Sequence, residues 1–328
     1  MPTAPADKVL RKIARRLIPL IVFLYVLAYL DRINLGFATL QMSGDLHFTE
    51  SIYGFGAGIF YVGYLLFEVP SNLILARVGA SRWIARIMIS WGVIASAMMF
   101  VQGRSSFYAL RFLLGLAEAG FFPGMLLYLT YWFPPQYRAR TVAMFFTATA
   151  ITGVVGGPIS AGCLAMDGIA GLRGWQWLFL LEGLPSLVFG CVVFFALTDK
   201  PEHATWLSEE ERNIVRDELA RTNRPSMTHH LTLSAAASDA RVWLLSAIYL
   251  FLTFGLYSFG YWMPRLLKSI SRYSDVKVAL MSAIPYGIAA IAMIFVGRHS
   301  DRHGEQRWHA AISAGISSPP STPAARSR

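Results

Sequence analysis

Eight stretches of the chain stay predominantly apolar for about 20 residues, the length a helix rising 1.5 Å per residue needs to cross the hydrocarbon of a bilayer. They lie near 17–40, 51–75, 83–101, 107–133, 141–166, 175–197, 242–264 and 278–296. The pattern predicts an all-α membrane protein with eight transmembrane helices. A long polar stretch at 199–239 separates the first six from the last two, which divides the chain into a six-helix bundle (1–198), a linker (199–241), a two-helix partial bundle (242–308) and a tail (309–328). Within the linker, residues 207–219 predict a surface helix, because Ser208 followed three residues later by Glu211 forms a capping-box pattern.

Composition agrees with a lipid solvent: 55% of residues are hydrophobic and only 15% charged, well outside the soluble globular range. The net charge of +10 does not predict nucleic-acid binding, because the basic residues sit in short segments between apolar runs. In such segments they orient helices. Lys8, Arg11, Lys12, Arg15 and Arg16, then Arg77 and Arg82, Arg138 and Arg140, and Arg298, Arg302 and Arg307 fall on one side. Both termini are therefore expected in the cytoplasm, with the chain in the inner or plasma membrane. Arg265, Lys268, Arg272 and Lys277 would lie outside, as a solvated loop or an external funnel for anions. Cys163 and Cys191 both lie in apolar runs and predict neither a disulfide nor a metal site. No cofactor is expected. An enzyme is not indicated either, for want of a metal-ligand cluster, a nucleophile with its base, or a phosphate loop.

Charge inside the apolar spans changes the picture most. Asp31 and Arg32 interrupt the first span, and Arg111 and Glu118 the fourth. Charge at that depth costs at least a few kcal/mol and so faces a cavity or a partner. Arg111 and Glu118 are seven apart and project to one face, with Gly115 between them expected to leave room for a solute. Counting residues puts Asp31 and Glu118 each about 22 Å above the basic face, which suggests one proton route. Arg32 and Arg111 are expected to hold a carboxylate in bidentate fashion. Tyr29 and Tyr64 are expected to add hydroxyl contacts, and Asp31 and Glu118 to take up the coupling proton. Glu68 reads as a gate or interhelix contact and Glu182 as a structural hydrogen-bonding group. The bland alternative for the four central charges is a pair of salt bridges that only brace helices.

Several strings resemble the major facilitator superfamily. Gly297, Asp301, Arg302 and Gly304 follow the eighth span in the pattern of that family's loop signature, and the stretch after the second span keeps Arg77 and Gly79 but has Ala76 in place of the acid. A latch there must be weaker or made differently. Gly153-Val154-Val155-Gly156-Gly157-Pro158 is similar to the family's fifth-helix signature, and Gly174-Trp175-Gln176-Trp177-Leu178-Phe179 with Glu182 to the start of its sixth helix. The most specific likeness, over about 8–308, is to the anion:cation symporter branch. It is carried by Tyr29-Leu30-Asp31-Arg32-Ile33-Asn34, Phe67-Glu68-Val69-Pro70-Ser71-Asn72 and Arg111 through Glu118. The resemblance implies secondary transport of a small organic anion with a proton, by alternating access between two six-helix bundles. It points to the same roles for Asp31, Arg32, Arg111 and Glu118. From His309 the sequence turns Ala/Ser/Pro-rich, which cannot form a span and suggests a shifted reading frame or truncated gene. The alternative expectation is therefore a remnant that is inactive or acts only with a partner chain.

Overall fold

The computed structural model describes residues 4–222 and 237–303, and every regular element among them is helical. In chain order the α-helices are α1 (Ala4–Asp45), α2 (Glu50–Val78), α3 (Ala80–Ala97), α4 (Arg104–Glu118), α5 (Phe121–Trp132), α6 (Pro135–Leu164), α7 (Gly174–Ala196), α8 (Glu209–Thr222), α9 (Ala240–Ile270), α10 (Asp275–Met281) and α11 (Ala283–His303). Eight spans are long and apolar enough to cross a membrane, the fourth made of α4 and α5 and the eighth of α10 continued by α11. All eight coincide with the predicted stretches.

The first helix differs from its expected start. Residues 4–16 were expected to be a basic flank, yet α1 runs for 42 residues. Ala6, Val9, Leu10, Ile13 and Leu17 are buried at helical spacing, and this stripe meets Leu207 and Val215 of the linker in one apolar cluster. The basic residues lie on the other faces of the same turns, where Lys12 donates to Glu211 at 2.7 Å. The linker helix is capped as expected: the Ser208 hydroxyl accepts from the Glu211 amide at 3.1 Å and the Glu211 carboxylate accepts from the Ser208 amide at 2.9 Å.

Inside the six-span bundle α3 lies along α7, α2 along α4, and α1 between α6 and α7. Glycine sets these distances. A β-carbon on Gly115 would sit 2.0 Å from the Phe60 carbonyl oxygen of α2, so Gly115 is filled by helix backbone and leaves no room for a solute, contrary to expectation. Gly156 faces Ile33 of α1, while Gly153 and Gly157 face Tyr286 and the Ala279 carbonyl. The fifth span thus uses one small-residue stretch to admit the first span on one side and the eighth on the other.

The turn between α2 and α3, next to Ala76, receives a carboxylate from a distant part of the chain. Gly79 has φ +101, a conformation that favours glycine. The Asp199 carboxylate lies where a β-carbon would go, 2.6 Å away, and accepts from the Ser81 amide at 2.7 Å. A carboxylate from the end of the sixth span therefore caps the N-terminus of α3, where negative charge is favoured. Arg77 is exposed on the last turn of α2. Gly297, Asp301 and Arg302 fall within α11, and Gly304 lies outside the described residues, as do the tail and linker residues 223–236.

Two substitutions test this packing by thermal unfolding in detergent. Gly115→Ala forces α2 and α4 apart and is expected to cost about 1–3 kcal/mol, as overpacking does. Asp199→Ala removes the cap and is expected to cost about 1 kcal/mol. A melting temperature unchanged in either variant contradicts the corresponding contact.

Candidate functional site

The fourth span is not the continuous helix its apolar run predicts. It breaks directly after Glu118, where Ala119 is extended and Gly120 takes φ +86. The Ser71 hydroxyl oxygen lies 2.2 Å from the site of a Gly120 β-carbon, so both the dihedral and the close approach of α2 require glycine. The sequence signal was present in Gly120 and Pro123. The break leaves Glu118 as the last residue of α4, just before the amide-rich start of α5.

Arg32 reaches Glu118 from α1. Its Nε donates to Glu118 Oε1 at 2.6 Å, and its Nη2 lies 2.6 Å from the same oxygen. The arginine is 7% exposed and the glutamate fully buried. Nη1 donates to the Tyr257 hydroxyl at 2.5 Å, and the Tyr64 ring covers the guanidinium at 5.1 Å. Sequence spacing had set Glu118 beside Arg111 on one helix face. Both residues lie within α4, so the shared face holds, and from it Glu118 pairs across helices with Arg32.

Every direct contact of Arg111 is with a neutral group, while Asp31 and Glu118 feel its charge at longer range. Its Nε donates to the Gly56 carbonyl at 3.2 Å and its Nη2 to the Tyr261 hydroxyl at a long 3.5 Å. The guanidinium also stands over the Phe60 ring at 4.8 Å. Arg111 is 1% exposed, and among the described residues no carboxylate comes within 4.0 Å of it. The two arginines nevertheless share one surface. Tyr257 and Tyr261 are one turn apart on α9, and Tyr61 joins them, its ring 5.4 Å from that of Tyr257 and its hydroxyl 3.3 Å from that of Tyr261.

These α9 tyrosines are what sequence reasoning missed. Residues 242–264 carry no charge, yet Tyr257 and Tyr261 repeat at i, i+4 as Tyr25 and Tyr29 do on α1. Tyr29 is buried, its ring 6.3 Å from those of Tyr25 and Tyr257. The hydroxyl that Arg32 holds belongs to Tyr257.

Asp31 does not join the Arg32–Glu118 pair. One residue along a helix turns about 100°, and Asp31 faces α6 and α7, where Asn34 Nδ2 donates to its Oδ1 at 3.1 Å. Asp31 and Glu118 thus have different direct partners, although Asp31 still feels the charge of Glu118. Glu182 of α7 accepts from Ser160 of α6 at 3.0 Å, as a structural hydrogen bond was expected to do. Glu68 is half-buried on α2, its backbone carbonyl accepting from Asn72 at 2.8 Å.

At the end of the bundle opposite the N-terminus, α9 closes onto α1 and α2. Gly36 packs on the Gly260 carbonyl, the Tyr53 hydroxyl donates to the Tyr261 carbonyl at 2.7 Å, and Arg265 pairs with Glu50 at 2.5 Å. Lys268 pairs with Asp275 at 2.9 Å, and Lys277 covers the Tyr273 ring at 3.7 Å. A cleft of about 440 Å³ opens here, lined by Thr39, Ser43, Glu50, Trp262, Arg265 and Lys268. Of the four basic residues here Arg265 and Lys268 are paired with carboxylates, and these pairs brace the end of α9 against its neighbours.

A family model described as Major Facilitator Superfamily matches residues 21–319. A candidate tartrate transporter of Agrobacterium vitis is 50% identical over 302 residues, covering 92% of this chain and 67% of the relative. The inner membrane transport protein RhmT of Escherichia coli is 36% identical over 314 residues, covering 95% and 73%. Among solved structures, a bacterial homologue of the human lysosomal transporter Spinster in an inward-facing, occupied conformation superposes with a TM-score of 0.67 at 15% identity. That match covers 87% of this chain, which spans only 60% of the other's length. The Escherichia coli xylose transporter, partially occluded and inward open, gives 0.62 at 14% identity over 87% of this chain and 71% of its own. At such identities the likeness is one of fold. With the fold, the family match and the relatives in agreement, the chain is an integral membrane protein that belongs to the major facilitator superfamily.

Proposed function

We propose that this chain transports a small organic anion, a carboxylate of the tartrate class, by alternating access coupled to a proton. The observation that carries the reading is Arg111. Desolvating a guanidinium costs several kcal/mol, and a hydrogen bond to a charged group returns about 1.5–3 kcal/mol. One ordinary bond to Gly56 and one long bond to Tyr261 leave a deficit that a bidentate carboxylate would remove. The relative named for tartrate supports the class of solute.

In this reading Arg111 is the primary anion ligand and Arg32 the second, released when Glu118 takes up a proton and lets go of it. Tyr29, Tyr64, Tyr257 and Tyr261 surround the two guanidiniums and supply hydroxyls and ring faces. The basic face with both termini is cytoplasmic, so the contacts of α9 with α1 and α2 shut the outer side. No step requires a cofactor beyond the proton. The partners are the anion and the lipid bilayer.

Uptake of radiolabelled tartrate into proteoliposomes, with and without a pH gradient, tests this reading. Arg111→Gln is expected to lower uptake at least 100-fold, and Arg111→Lys nearly as far, because an ammonium lacks the fork that grips a carboxylate. Either variant transporting at the parent rate defeats the proposal. Binding gives a second readout: at about 100 times its dissociation constant tartrate adds about 2.7 kcal/mol of stability, and Arg111→Gln should lose that thermal shift. Glu118→Gln should abolish pH-driven accumulation more completely than it slows exchange between equal pools.

A further inference from the structure

A second polar cluster lies beside the arginines, on a face of α1 turned about 100° from Arg32. Asp31 and Asn34 of α1, Ser160 of α6 and Glu182 of α7 meet there, each less than 5% exposed. Ser160 donates to Glu182 Oε1 at 3.0 Å and Asn34 Nδ2 to Asp31 Oδ1 at 3.1 Å. The Asn34 amide also stands beside the Glu182 carboxyl, which feels the charge of Asp31. Three atoms remain without partners: Asp31 Oδ2, Asn34 Oδ1 and Glu182 Oε2. All three are acceptors. Turning the Asn34 amide over would set its carbonyl against the Asp31 carboxylate, so the orphan oxygen is not an assignment error.

The cluster therefore lacks a donor. Two carboxyl groups in one buried site repel when both are ionised, and a single proton removes the repulsion. It also creates the O–H that the Asn34 carbonyl lacks. No basic residue answers either acid directly: Arg32 is committed to Glu118, and among the described residues no lysine or arginine pairs with Asp31 or Glu182. The charged groups facing Asp31 are Glu118, Arg111 and Arg32, in addition to Glu182. Beside Glu182 the other titratable group is Cys163 of α6. From α3 the neighbour is the neutral Ser96, which packs on Gly183.

We propose that Asp31 and Glu182, bridged by Asn34, form a carboxyl pair that holds one shared proton, making Glu182 a coupling residue in addition to the two acids already assigned. The proton is taken from water at one membrane face as a carboxylate becomes a carboxylic acid, and returned to water at the other as the acid ionises. The proposal rests on the transport reading for its use, but the proton's residence on the pair does not depend on transport.

Infrared difference spectra of the full chain in detergent, recorded during a pH titration, test it directly. The parent should show the carbonyl stretch of a buried protonated carboxyl at neutral pH, insensitive to exchange of sodium for potassium. In Glu182→Gln and in Asp31→Asn the remaining acid should ionise at a pH at least one unit lower, a tenfold loss of proton affinity. Circular dichroism of each variant establishes that it is folded, and Glu182→Asp should restore the band at a shifted pH. No such band in the folded parent, a band that neither single variant moves, or one that sodium alone removes overturns the proposal. A normal band with no pH-gradient effect on tartrate uptake faults the transport reading and leaves the shared proton standing.

Discussion

A guanidinium inside an apolar helix bundle has to be met by electron-rich atoms, and the organisation of this protein follows from the two ways its buried arginines are met. Arg32 is given a full counter-charge by Glu118 and a phenol by Tyr257. Arg111 is given a carbonyl, a distant phenol and a ring face. Breaking a buried ion pair leaves an uncompensated charge and costs about 3–5 kcal/mol. The first arginine is thus held by a direct ion pair, while the second has only neutral groups in contact and its carboxylates at longer range. An internal salt bridge at both arginines would have been bracing, and the asymmetry between them argues against that reading.

The geometry that produces the asymmetry is local. The helix α4 stops at Glu118 because Gly120 takes a left-handed conformation under the Ser71 hydroxyl, which leaves Glu118 at the helix end where Arg32 of α1 reaches it. Gly115, three residues earlier, lets α4 lie directly on the backbone of α2. This close α2–α4 contact brings Gly56 and Phe60 to Arg111.

The hydrophobic pattern was sufficient for the eight spans, the linker and its capping box, since each depends on composition over many residues or on a short local motif. It located all four central charges and separated Asp31 from Arg32 by the helical turn between neighbours. What it missed depends on pairs remote in sequence: Arg32 with Glu118, 86 residues away, Ser81 with Asp199, and the α9 tyrosines with both arginines. The helix break at Gly120 was not foreseen, although it leaves Arg111 and Glu118 together on α4. Reading Gly115 as space for a solute failed because a missing side chain in a packed bundle is filled by the neighbouring backbone. The amphipathic start of α1 was legible at i, i+3, i+4 spacing but was masked by the five basic residues among it.

The two acidic sites are joined by the stiffness of α1. Asp31 and Arg32 are adjacent on a continuous helix, so neither can move far without the other, yet they face different partners about 100° apart. In the proposed mechanism, withdrawing α9 takes Tyr257 and Tyr261 away from both guanidiniums at once and raises their demand for an anion. Any rotation of α1 that follows Arg32 toward that anion also shifts Asp31 against Asn34, Glu182 and the α6–α7 wall. Proton affinity on one side of the helix and anion affinity on the other would then be linked by a rigid body, without a chain of side chains between them. Linkage of this kind is reciprocal, so the state that binds the anion better must also be the one in which the carboxyl pair binds its proton differently.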